Sequence, residues 1–203
     1  MYGALALDAL WGLYCCVMVY LRIRQKEFRS EKQLDTFVET LDQSLLKGDF
    51  NAAAMQCEGD RRAVPQLTAL GLANLNLGME KIQDLLSERF QRDIMTDLES
   101  RINWINNVIK TAPMLGLLGT VLGMMAAFGK LATMENVKPK ILADDIALAL
   151  ITTAIGLTIT IPCTLAVAMF NIRIRRMEDF VNSGLSRFFE TLETALKITP
   201  RGR

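Results

Sequence analysis

The residues that carry polar chemistry inside the apolar part of this 203-residue chain are few and lie in helical register. Across the 19 uncharged residues 111–129, Ala112, Gly116, Gly119, Thr120, Gly123 and Ala127 fall within an arc of about 100° when wound as an α-helix. Across the 27 uncharged residues 146–172, Ala149, Thr152, Thr153, Gly156, Thr160 and Cys163 share a similar arc. Leu150, Ile151, Ile155, Leu157, Ile161, Leu165 and Met169 lie outside it. Thr158 falls on that bulky side, where its hydroxyl is expected to bond back to a carbonyl one turn earlier. Threonine hydroxyls donate and accept hydrogen bonds, but they do not titrate near neutral pH. A proton relay through a membrane needs Asp, Glu or His, and neither uncharged run has one. Asp8 is the one carboxylate in a further apolar stretch, residues 1–21, and its place near the start is read as snorkelling to the outer interface. A proton passing these threonines would therefore need a carboxylate from another subunit.

The rest of the composition excludes most chemistry of other kinds. There is no histidine, which removes the commonest general base and the commonest metal ligand, so no catalytic residue, metal site or cofactor is expected and the chain is not read as an enzyme. Cys15, Cys16, Cys57 and Cys163 form no Cys-x-x-Cys pair and are read as small buried hydrophobes. A formal net charge of +1 argues against a nucleic-acid surface, which needs a clustered cationic excess.

What positions the threonines is a set of helices. Half of the residues are hydrophobic (51%) and the mean hydropathy is +0.23, yet 22% are charged, which calls for apolar blocks beside a solvated one. Residues 1–21, 111–134 and 145–172 are expected to cross a membrane, since about 20 residues at ~1.5 Å each span its hydrocarbon core. The first is read as an uncleaved anchor, because its positive charges, Arg22, Arg24, Lys26 and Arg29, follow the apolar stretch where a signal peptide would precede it. With three spans, that basic run and Arg173, Arg175 and Arg176 fall on one side, which the positive-inside rule makes cytoplasmic. The N-terminus is then outside, the C-terminus inside, residues 135–144 form a short outer loop and residues 173–203 a cytoplasmic helix and tail. Residues 22–110 are expected to be a cytoplasmic helical domain. Ile82, Leu86, Phe90, Ile94, Leu98, Ile102 and Ile109 mark one face of a helix that runs into the second span, with Pro113 the residue able to kink the join. Gly48 in "LLKGDF" (45–50) reads as a helix end, followed by a short helix from Asn51.

Small residues let helix backbones approach closely where lipid supplies no hydrophobic drive. The two stripes therefore suit helix packing, and their hydroxyls equally suit a path or a moving contact. Both readings stay open on spacing alone.

"APMLGLLGTVLGMMAAF" (112–128) and "IALALITTAIGLTITIP" (146–162) resemble the two signature helices of the TolQ/ExbB group of proton-channel proteins, distantly related to MotA. "LLKGDFNAAAMQCEG" (45–59) resembles the cytoplasmic hairpin of the same group. The resemblance covers about residues 30–190. It implies an all-α integral membrane protein of the bacterial inner membrane, assembled as a homopentameric ring around two copies of an ExbD/TolR-like single-span partner with an essential aspartate. That partner would act on a TonB-like or other envelope protein, driven by the proton motive force. By the same resemblance Thr120 and Thr153 match pore-facing threonines, and Pro113, Gly116, Gly119, Gly123, Gly156 and Pro162 match helix-packing positions of the pore wall. Leu148 stands where relatives have a glutamate, which leaves more of the chemistry to the partner. An ExbB-like role in TonB-dependent uptake is the leading expectation. TolQ-like envelope maintenance, a gliding motor and a non-conducting scaffold are the alternatives.

Overall fold

A computed structural model describes residues 2–28, 30–133 and 139–198, and every regular element among them is helical. The elements are α1 (Tyr2–Lys26), α2 (Glu31–Leu46), α3 (Phe50–Cys57), α4 (Ala63–Ala73), a 3₁₀ turn (Leu75–Leu77), α5 (Met79–Arg89), a π-helical turn (Phe90–Met95), α6 (Thr96–Thr133) and α7 (Pro139–Ile198). They sort into two compact units, Met1–Val19 with Ser100–Phe170, and Tyr20–Glu99 with Asn171–Arg203.

In the first unit the cores of α1, α6 and α7 pack through small residues and leave their large ones outward. Leu7, Leu10, Leu117, Leu150 and Leu165 are each about two-thirds exposed, while Gly12, Gly116, Ala112 and Ala149 are buried. A surface this apolar is disfavoured in water at roughly 25 cal/mol per Å². Three helices here are long and apolar enough to cross a membrane, and the chain is an integral membrane protein. α6 passes through Pro113 without a break, and α7 is one helix of 60 residues that begins at Pro139. Residues 139–144, expected as loop, are therefore helical; residues 134–138 and 199–203 lie outside the described part.

The second unit has an apolar core of its own. Phe28, Leu34, Val38, Leu41, Leu45, Ile82, Leu86, Met177, Phe188 and Leu192 are buried in it. The turn after α2 follows the sequence closely: Gly48 takes φ +75°, and Asp49 caps α3, accepting from the Ala52 amide at 2.9 Å. Arg187 ties α7 to α2 through Asp35, at 2.9 Å.

The amphipathic stripe from Ile82 is buried at 82, 86, 90, 94, 98 and 102, but its last expected member differs: Ile105 and Val108 are buried and Ile109 only partly. Strict four-residue spacing drifts about 40° per step on an α-helix of 3.6 residues per turn. The π turn takes up part of that drift. Its wider winding places the Thr96 amide and hydroxyl on the Gln91 carbonyl, five residues back, and keeps Phe90 and Ile94 on the buried side.

Candidate functional site

The site is the seam between α6 and the first half of α7, within the first unit. Helix backbones meet there because glycines face each other and face threonine. A β-carbon placed on Gly156 would stand 2.6 Å from the Ala112 carbonyl oxygen, and one on Gly116 would stand 2.9 Å from the Thr153 Cα. On Gly123 it would stand 2.6 Å from the Ala149 Cβ, and on Gly119 it would overlap the Thr152 side chain. Both small-residue stripes are thus spent, in large part, on each other.

The threonines of the seam divide by what their hydroxyls do. Thr152 is 4% exposed; its Oγ1 lies 2.7 Å from the Ala149 carbonyl and 3.2 Å from the Gly116 carbonyl, so its one proton is shared within and across helices. Thr152 is a clamp. Thr158, Thr160 and Thr164 donate to carbonyls four residues back, at 2.8–2.9 Å, as expected for Thr158. Thr120 donates to the Leu117 carbonyl at 2.7 Å. Thr153 differs from all of these. Its Oγ1 is buried with no hydrogen-bond partner among the described residues, although a carbonyl one turn back is the usual acceptor in an apolar helix. Leaving a buried hydroxyl unpaired costs roughly 1–3 kcal/mol.

Of the other expected packing positions, Pro113 is half-buried within α6, and Pro162 lies on the exposed side of α7.

Two carboxylates lie in this unit beside the seam. Asp8 is turned towards α6. Both of its carboxylate oxygens lie 3.1 Å from the Thr111 Oγ1, at the first residue of the uncharged stretch of α6. The reason is the register of α1: the Tyr2 hydroxyl donates to the Leu148 carbonyl at 3.4 Å, so Asp8, six residues on, sits about 9 Å further along the seam. Asp145 lies on α7 and lines a groove with Tyr2, Gly119, Gly123, Leu148 and Thr152. Its Oδ2 pairs with Lys130 Nζ at 2.6 Å. Asp145 is the first residue of the expected third span, and its place three residues before Leu148, about one helical turn, puts it on that face of α7.

Cys15 and Cys163 are buried in this unit and Cys16 half-buried; all are free thiols.

Residues 53–183 match the model of the MotA/TolQ/ExbB proton channel family. The chain belongs to the MotA/TolQ/ExbB proton channel family. The match takes in both threonine-bearing helices and most of the second unit's helices. Among relatives, the ExbB-like 2 protein of Helicobacter pylori (strain ATCC 700392 / 26695) is 33% identical over 91 residues, 45% of this chain and 59% of that protein. The Tol-Pal system protein TolQ of Haemophilus influenzae is 35% identical over 91 residues, 45% of this chain and 40% of that protein. The biopolymer transport protein ExbB of Aquifex aeolicus is 30% identical over 118 residues, 56% of this chain and 78% of that protein. For the first two, the matched stretch is less than two-thirds of the relative's own length.

Proposed function

We propose that this chain is the ring-forming subunit of a proton-driven motor in the bacterial inner membrane, with its N-terminus outside and its C-terminus cytoplasmic. Five copies enclose two copies of a single-span ExbD/TolR-like partner, whose aspartate carries protons past Thr120 and Thr153. Rotation of the partner helices then transmits work to a TonB-like protein, as in ExbB-dependent uptake. Relatives named both ExbB and TolQ match, and a TolQ-like envelope role would use the same ring with a different outer partner.

The observation that carries this reading is the Thr153 hydroxyl, enclosed beside Gly116 with no hydrogen-bond partner among the described residues. An unpaired hydroxyl gains a hydrogen bond once a motion of the helices uncovers it to a protonatable group, and a partner carboxyl that gains and loses a proton is such a group. The spans themselves supply no rival: Asp8 is bonded to Thr111 and Asp145 to Lys130. A proton moving down 100 mV releases about 2.3 kcal/mol, enough to bias one conformational step.

The test is Thr153→Ala and Thr153→Ser in the chain co-expressed with its partner, read as uncoupler-sensitive work on the envelope protein. Thr153→Ala is expected to lose most of that activity while assembly persists, and Thr153→Ser to retain it. Full activity in Thr153→Ala removes the residue from the path. A static scaffold is distinguished by the uncoupler alone, since its complex behaves the same with and without the gradient.

A further inference from the structure

The second unit holds a cleft that the motor reading does not use. It is about 330 Å³ in volume, lies between the end of α1 and the middle of α7, and is lined by Tyr20, Arg24, Glu27, Arg173 and Arg176. Three guanidiniums face one carboxylate. Arg173 lies over the Tyr20 ring, 5.4 Å from its centroid, and Arg176 over Phe180 at 5.2 Å. Those stacking contacts fix the planes of both groups and leave their N–H edges unspent, for among the described residues none of the three arginines is in an ion pair.

The position of the cleft in the sequence says which anion it meets. Arg173 is the first charge after the 27 uncharged residues of α7, and Arg24 lies three residues beyond the apolar run of α1. Tyr20 is the last residue but one of that run, a place aromatic residues favour at the membrane–water boundary. Two membrane-length apolar stretches thus stop at the same cluster of guanidiniums. That is the depth of lipid phosphates, and the basic side of the protein is the side of the anionic leaflet.

We propose that this cleft binds the phosphate of an anionic phospholipid headgroup, held by Arg24, Arg173 and Arg176. Planar guanidiniums donate paired N–H groups to phosphate oxygens, which a lysine cluster would not do with the same geometry. Glu27 opposes the ligand. Burial pushes its carboxyl above the usual glutamate range, against the pull of Arg173 and Arg176. Free inorganic phosphate presents the same oxygens but lacks the acyl chains, and this separates the two sources.

The experiment uses the full chain purified with its partner, delipidated, and offered phosphatidylglycerol or phosphatidylcholine, with bound lipid counted by native mass spectrometry. Selective retention of phosphatidylglycerol is expected, falling about tenfold or more in Arg173→Gln/Arg176→Gln as charge-assisted hydrogen bonds are lost. Glu27→Gln is expected to raise retention several-fold, a gain that a merely damaged fold does not produce. Equal retention of both lipids, undiminished retention in the double variant, or a fall in Glu27→Gln each overturns the proposal. Complete displacement of phosphatidylglycerol by millimolar inorganic phosphate overturns the lipid assignment in favour of a soluble anion.

Discussion

At the scale of single residues, position within the fold separates groups of the same chemical type. Thr152, Thr153, Thr158 and Thr160 stand within nine positions of each other, yet one clamps two helices, two bond back to their own helix and one has no partner among the described residues. Asp8 accepts from Thr111, and an amide oxygen accepts equally well, so Asp8→Asn is expected to cost under about 1 kcal/mol and to leave energised activity within twofold. A loss beyond tenfold would make Asp8 the proton carrier and overturn the partner-carboxylate account. Asp60 gives a pH prediction. Burial raises its carboxyl, but hydrogen bonds from the Arg62 side chain and backbone outweigh that and hold it below the usual aspartate range. A depressed folded value means that the stabilisation is present above the unfolded value of about 3.8 and is lost as pH falls through the folded one. Asp60→Asn is expected to lower stability by roughly 1 kcal/mol at pH 6. In thermal melts the gap from wild type should close as the pH falls below 3.8; a gap that is flat across that range would assign Asp60 no charged role.

At the scale of elements, the glycines of the seam set how close α6 and α7 come. Gly→Ala in a helix ordinarily adds up to about 1 kcal/mol of helix propensity. At Gly129, where a β-carbon meets nothing within 4 Å, that gain is expected. At Gly156 the β-carbon would meet the Ala112 carbonyl at 2.6 Å, and backbone cannot swing aside as a side chain can. Gly156→Ala is therefore expected to destabilise the pair by about 1–3 kcal/mol, seen as a lower melting temperature of the purified complex and loss of the intact ring. The opposite order, with Gly129→Ala the more harmful, would show that the seam is not a close backbone contact. The π turn at Phe90–Met95 belongs to this scale too, because it keeps a four-residue repeat on one face.

At the scale of the whole molecule, the uncharged runs 111–129 and 146–172 that carry the threonines contain no carboxylate, and under the proposed function the proton carrier comes from a partner. Reconstituted alone in vesicles, the chain is expected to pass protons at a background rate under a 100 mV potential, about the potential that acts across a living membrane. Adding the single-span partner should raise the rate, and substituting the partner's aspartate by asparagine should abolish the gain. Brisk conduction by the chain alone, lost only with Asp8→Asn, would invert the assignment. Dependence on a partner also fits the exposed Leu117, Leu150 and Leu165, which make a surface for lipid or for other helices.

Much of this protein was legible in its order of residues because lipid imposes a simple rule: uncharged runs of membrane length must become helices, and small residues mark where those helices touch. The long apolar runs, the two stripes, the Gly48 turn and the family resemblance all follow from such local patterns. Tertiary structure decided what one-dimensional spacing leaves degenerate. The offset of α1 against α6 carried Asp8 to Thr111, and the extension of α7 back to Pro139 brought Asp145 onto Lys130. Thr152 and Thr153 are neighbours in sequence, 100° apart on one helix; only the approach of Gly116 and Gly119 gave one a carbonyl to share and left the other without. Helical period tells which residues share a face, whereas the sliding of one helix along another is set by the sum of their contacts, and that sum exists only once the helices are together.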